Sequence, residues 1–124
     1  MSHKSRLGCI VIDCQSERVD DVAAFWGSAL GGDVSVDPDG KYATVTEQGD
    51  IKVLIQAVEH APRVHLDIEA DDKEAEASRL EALGAKVIAR VKRWIVMEAP
   101  TGHKFCVVDP QSDRFAQSAK AWGA

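Results

Sequence analysis

The sequence predicts an α+β fold made of two paired βαβββ modules, which form a curved mixed sheet with the helices on its outer face. Three observations predict it. Eight short runs are rich in β-branched and apolar residues with alternating faces, as half-buried strands require. Two intervening segments carry their apolar residues at helical spacing instead. Finally, the order repeats: Leu30-Gly31-Gly32 and Leu83-Gly84-Ala85 stand at matching helix ends, 83 minus 30 giving an offset of 53. One such module cannot bury a sheet face alone, so two copies share a core and leave a concave inner face between them.

The first strand runs from Leu7 to Cys14, with Ile10 and Ile12 on one face and Cys9, Val11 and Asp13 on the other. Val19, Val22, Ala23, Trp26 and Leu30 then recur at helical spacing until Gly31 and Gly32 end the helix. Residues 33–37 form a short strand. Asp37-Pro38-Asp39-Gly40 is a turn, because proline presets φ and glycine accepts positive φ. Strands over 42–47 and 51–57 complete module 1, about 7–57. Module 2, about 63–108, opens with a strand over 64–70. Asp71 and Glu74 form a capping pair, and Ala77, Leu80 and Leu83 make the apolar stripe of the second helix. Strands over 86–91, 94–98 and 104–108 follow. Phe115, Ala119 and Trp122 are spaced for a C-terminal helix over about 113–122. Leu66, Ile68, Phe105 and Val107 are expected under the helices, and Glu69 on a wet face.

A chain of 124 residues that is 45% hydrophobic fits a single globular domain. Its net charge of −5, with no basic cluster beyond Arg90, Lys92 and Arg93, excludes nucleic acid as a partner. No stretch is long enough to span a bilayer, and the polar N-terminus lacks a signal-peptide core, so membrane is excluded and a cytoplasmic location is expected. Three cysteines, at 9, 14 and 106, are an odd number without a CxxC pair, which argues for reduced thiols.

The stretch from Arg63 to Asp72 carries the densest functional signal. His65, Asp67 and Glu69 alternate with Leu66, Ile68 and Ala70, so one strand face is apolar and the other can bind or titrate. Asp67 could work as an acid or base beside His65, or form a structural ion pair with Lys52 or Lys104. Trp94 could stack on a planar ligand or serve as an aromatic core residue.

Several segments resemble the vicinal oxygen chelate superfamily in its glyoxalase-like and bleomycin-resistance-like branch. They are Val-Ile-Asp-Cys at 11–14, Ala-Phe-Trp with Leu-Gly-Gly at 24–32, His-Leu-Asp-Ile with Asp-Asp at 65–72, Leu-Gly-Ala at 83–85, and Pro-Thr-Gly-His-Lys-Phe-Cys at 100–106. The resemblance implies paired βαβββ modules that form a cup, often in a homodimer. Carried over by motif, the ligand positions of its metal enzymes fall on Cys9, Gln56, His65 and Cys106. A divalent metal there, best a soft or borderline ion such as Zn²⁺, is one reading. The other is a metal-free cavity wall, because the glutamate typical of the last strand is replaced by Cys106.

The expected function is therefore a glyoxalase-like protein that holds a small molecule in the concave sheet cavity, lined by Cys9, Gln56, His65, Asp67, Trp94 and Cys106. The alternative is a metal-dependent isomerase, lyase or dioxygenase of the same superfamily. A homodimer is expected, from the exposed strand edges and the apolar tail.

Overall fold

In the computed structural model, which describes residues 2–123, the elements follow in the predicted order. They are β1 (His3–Gln15), α1 (Asp20–Leu30), β2 (Val34–Val36), β3 (Tyr42–Val45), β4 (Lys52–Val58), β5 (Arg63–Ala70), α2 (Lys73–Ala82), β6 (Lys86–Val91), β7 (Trp94–Glu98) and β8 (Lys104–Val108). Each module is βαβββ, and the fold is α+β. The chain divides into two compact units, 9–65 and 2–8 with 66–123, and the strands β1 and β5 run through the division.

Within 9–65 the strand order is β2-β3-β4-β1. β1 and β4 are parallel, with Ile12 opposite Ile55 and Asp13 opposite Gln56. Because side chains alternate along both strands, Ile55 and Ala57 face α1 while Asp13 and Gln56 face the other way. Val19 and Ala23 pack against Ala43, Val45, Ile55 and Ala57 to make the core of this unit. α1 ends at Gly31, whose φ of 76° is left-handed. Gly84 after α2 repeats the device at φ 107°, which accounts for the sequence repeat.

In the second unit the order is β5-β8-β7-β6, with β5 and β8 parallel and Asp67 opposite Cys106. Ala77 of α2 packs on Ala70, Ile95, Met97 and Val107. The helix start departs from expectation. Asp72, not Asp71, is the cap, its Oδ1 accepting from the Ala75 N–H at 3.0 Å. Asp71 instead accepts from the Lys4 N–H at 2.8 Å. Glu74 is drawn off by Arg90, which donates to both of its oxygens at 2.9 and 2.8 Å.

The expected C-terminal helix over 113–122 is not formed as such. It is a single turn, α3 (Phe115–Ser118), followed by a strand, β9 (Lys120–Trp122), antiparallel to residues 3–5 of β1. Trp122 accounts for the difference, because its partners lie on strand and helix rather than along one apolar groove. Its Nε1 donates to Ser5 Oγ at 2.8 Å, and the Arg79 guanidinium lies 3.9 Å from its ring centroid. Arg79 in turn donates to both oxygens of Glu76, at 2.9 and 2.8 Å, and His3 Nε2 lies 2.7 Å from Glu76 Oε1. Glu76 is completely buried. Burial alone would raise its carboxyl, but hydrogen bonds from Arg79, His3 and Ser5 outweigh that and hold it below the usual carboxylate range.

β5 also corrects the assignment of faces. Leu66, expected in the core, is 44% exposed, whereas Glu69, expected to be wet, is 3% exposed. Gly8 explains how a glutamate fits: a Cβ at that position would lie 2.2 Å from Glu69 Cγ, so the missing side chain makes the space. Glu69 Oε2 accepts from the Gln111 N–H at 3.1 Å. Gly8→Ala is therefore expected to lower stability by about 1–2 kcal/mol, the usual cost of overpacking. Chemical denaturation checks it, and an unchanged midpoint contradicts it.

Candidate ligand-binding site

Asp13 is the polar centre of the unit 9–65. It follows four apolar or thiol residues, Cys9 to Ile12, on β1, stands beside Gln56 of β4 in the sheet, and is 2% exposed. Three basic side chains gather at one of its oxygens. His65 Nδ1 donates to Oδ2 at 2.8 Å, Arg63 Nε lies 3.7 Å from the same atom, and His60 Nε2 lies 3.9 Å from it. Oδ1 is buried with no hydrogen-bond partner among the described residues. The Asp13 side chain is sealed at 1% exposure, while those of Arg63 and His60 are 47% and 40% exposed.

Beside this cluster lies a cavity of about 630 Å³, between the end of β1, α1 and the start of β5. Its wall is apolar and aromatic, from Ile12, Val22, Phe25, Trp26, Pro62 and Val64. The Phe25 and Trp26 rings meet edge to face, with centroids 5.0 Å apart at 83°. Helical spacing puts Val22 and Trp26 on one face of α1. Phe25 beside them is left 66% exposed. Asp21 and Arg63 supply charge, and Asp13, whose carboxylate is sealed, Cys14 and Gln15 complete the lining. Burial pushes the Cys14 thiol up, a hydrogen bond with Trp26 opposes this, and the Asp13 charge adds to it. The thiol therefore stays protonated near neutral pH.

None of Cys9, Gln56, His65, Asp67, Trp94 and Cys106 lines this cavity. His65 comes closest, as the imidazole held by Asp13. Gln56 stands opposite Asp13 on β4 and donates through Nε2 to the Tyr42 hydroxyl at 3.1 Å. Cys9 is buried, with its thiol 3.5 Å from the Ile10 carbonyl. Asp67 and Cys106 are register partners on β5 and β8, and Trp94 opens β7.

This placement tests the metal reading. Donors to one ion must converge within about 2.0–2.3 Å of it. Cys9 stands opposite Lys52, and Gln56 lies four residues further along the same ladder, about 13 Å away at strand rise. Cys9 and Gln56 cannot ligate one ion, so the four-residue set Cys9, Gln56, His65 and Cys106 does not fit a metal centre.

Asp13, Arg63, His60 and the α1 wall were not among the expected site residues. A signal for Asp13 was available: it is the one charge in the apolar run from Cys9 to Cys14. His60 lies in the connection before Pro62 and Arg63 opens β5, and nothing in their spacing points at Asp13.

The sequence profile of the glyoxalase-like domain matches residues 9–108 of this chain. Solved structures that share its fold include the following three. A protein from Legionella pneumophila described as an NAD-dependent benzaldehyde dehydrogenase aligns with a TM-score of 0.61 at 10% identity, over 82% of this chain and 99% of that one. A hypothetical protein from Bacillus halodurans C-125 gives 0.61 at 17% identity, over 88% and 98%. A glyoxalase/bleomycin resistance protein/dioxygenase superfamily member from Vibrio splendidus 12B01 gives 0.58 at 18% identity, over 86% and 99%. Identities this low establish the fold alone. No curated protein matches the chain. No helix among the described residues is long and apolar enough to cross a membrane.

Proposed function

The chain belongs to the glyoxalase-like domain family, and from that premise we propose that it binds a small planar organic molecule in the cavity of the unit formed by 9–65. One observation carries the reading: an aromatic and aliphatic cavity of about 630 Å³ has Arg63 in its lining, with the Arg63 Nε 3.7 Å from the buried Asp13 carboxylate. The volume lies within the range of small-molecule sites, and an apolar wall with a few fixed polar groups is their usual composition. Phe25 supports the reading further. A phenyl ring 66% exposed contributes little to the core, and it offers an edge to a ring entering beside Trp26.

In this reading the wall supplies affinity by desolvating the ligand ring. The sealed carboxylate of Asp13 does not touch the ligand; it holds His65 directly and lies beside Arg63, the basic residue of the lining. The test is a ¹H–¹⁵N NMR titration of the full chain with an uncharged planar probe, 2-naphthylmethanol. The expected result is saturable shifts of the Trp26 indole N–H and of amides in 12–15 and 62–64, with the Trp122 indole unmoved. Phe25→Ala should weaken binding roughly fivefold, the effect of one aromatic contact, without lowering the melting temperature. Shifts absent from those residues, or affinity unchanged in Phe25→Ala, would refute the assignment.

A further inference from the structure

Resting on that reading, we propose that the ligand of the cavity is a planar organic anion, with its ring against Phe25 and Trp26 and its acid group on Arg63. Three basic side chains share one carboxylate oxygen, and the exposures of the four groups are unequal. The negative charge is sealed, whereas the Arg63 side chain in the lining is about half in solvent, so a molecule entering at this edge meets the cation first.

The state of Arg63 strengthens the case. Its Nε is 3.7 Å from Asp13 Oδ2, an ion-pair distance beyond hydrogen-bond reach, and it donates no hydrogen bond to any described residue. A guanidinium oriented by one flank and unused on the other presents a two-pronged donor, the geometry that a carboxylate accepts in bidentate fashion. The hydrogen bond from His65 already occupies Asp13 Oδ2, so the carboxylate steers Arg63 without saturating it.

Asp21 supplies the opposite sign. It lines the same cavity from the first turn of α1. An anionic group is repelled there and attracted at Arg63, which fixes the direction in which a ring acid lies across Trp26. The competing occupant is a planar cation held by Asp21. Arg63 has the stronger claim, because a fixed fork confers geometric selection that an isolated exposed carboxylate does not.

Three probes with one ring system separate these cases: 2-naphthoate, 2-naphthylmethanol and 2-naphthylmethylammonium, each titrated into the full chain at pH 7 and followed by the same NMR signals. The expected result is naphthoate binding at least tenfold tighter than the alcohol, with the ammonium weakest and the advantage shrinking as salt is raised. Arg63→Gln should bring naphthoate to within about twofold of the alcohol, with naphthoate losing more affinity than the alcohol does. Arg63→Lys, which keeps the charge and loses the fork, should fall between. An alcohol or ammonium that binds as tightly as naphthoate overturns the anion inference and leaves the cavity reading standing. If none of the three moves the cavity resonances, both fail.

Discussion

Glu76→Gln is expected to lower the free energy of unfolding by about 3 kcal/mol, the lower end of what breaking a buried ion pair costs. The glutamate has no exposed surface, and both its oxygens are engaged, Oε1 by His3 and Arg79 and Oε2 by Arg79. The neutral amide removes the charge that Arg79 answers and puts an N–H where one of those donors points. The damage extends along the chain, because the same Arg79 lies over Trp122 of β9, and Trp122 holds Ser5. The wild type should also be acid-sensitive in a defined window. The Glu76 carboxyl is held below its ordinary value of 4.5, so the unfolded chain takes up the proton first. Its contribution is complete above the unfolded value and is lost as pH falls through the lower folded one. Urea denaturation of both proteins from pH 7 down to about pH 3.5 checks this. The gap between them should be widest at neutral pH and should narrow in acid; a constant gap would mean that the charge of Glu76 plays no part.

The repeat was legible because it is built from local chemistry. Both helices end on a left-handed glycine, Gly31 and Gly84, and this need is written at a single position each time. Strands β6, β7 and β8 were likewise legible from alternation, and their bounds match the expected ones residue for residue. What could not be read were choices between competing partners. Asp71 and Asp72 are adjacent and equally good caps; the Lys4 N–H takes the first, and only residues 67 positions apart decide it. Glu69 followed a pattern that calls for solvent, yet the absence of a side chain at Gly8 gave it an interior place. Trp122 fitted a helical stripe, but its indole N–H needed an acceptor, and Ser5 on a strand provided one.

The site was legible in part for the same reason. His65 stood out by residue type and position, and it does sit at the polar centre of its unit, but what organises it is Asp13, 52 residues earlier. Alternation alone placed Asp13 on the inner face beside Cys9 and Val11, without showing which of these would gather the basic groups. The wall of the cavity was hidden differently. Trp26 read as one residue of an amphipathic stripe, and helical spacing cannot tell a ring buried in the core from one left at the edge of a cavity.

Asp13→Asn should weaken the fold and strengthen the ligand site, a pair of opposite effects that few other substitutions in this chain would produce. The fold loses about 2 kcal/mol, because a charge-assisted hydrogen bond to His65 becomes a neutral one. The loss is smaller than at Glu76, since Oδ1 of Asp13 is buried without a partner and already carries part of the desolvation cost. At the site the sign reverses. The carboxylate lies 3.7 Å from Arg63 Nε and partly cancels its charge; without it, the guanidinium attracts an anion more strongly. Binding of 2-naphthoate should tighten by roughly three- to tenfold, the gain expected from removing one like charge behind the site. Binding of 2-naphthylmethanol should stay within about twofold, because its alcohol carries no charge for Asp13 to repel. Melting temperature and the two NMR affinities, measured on the same variant, give all three numbers. Naphthoate affinity that falls together with stability would show instead that Asp13 fixes Arg63 in place more than it offsets its charge.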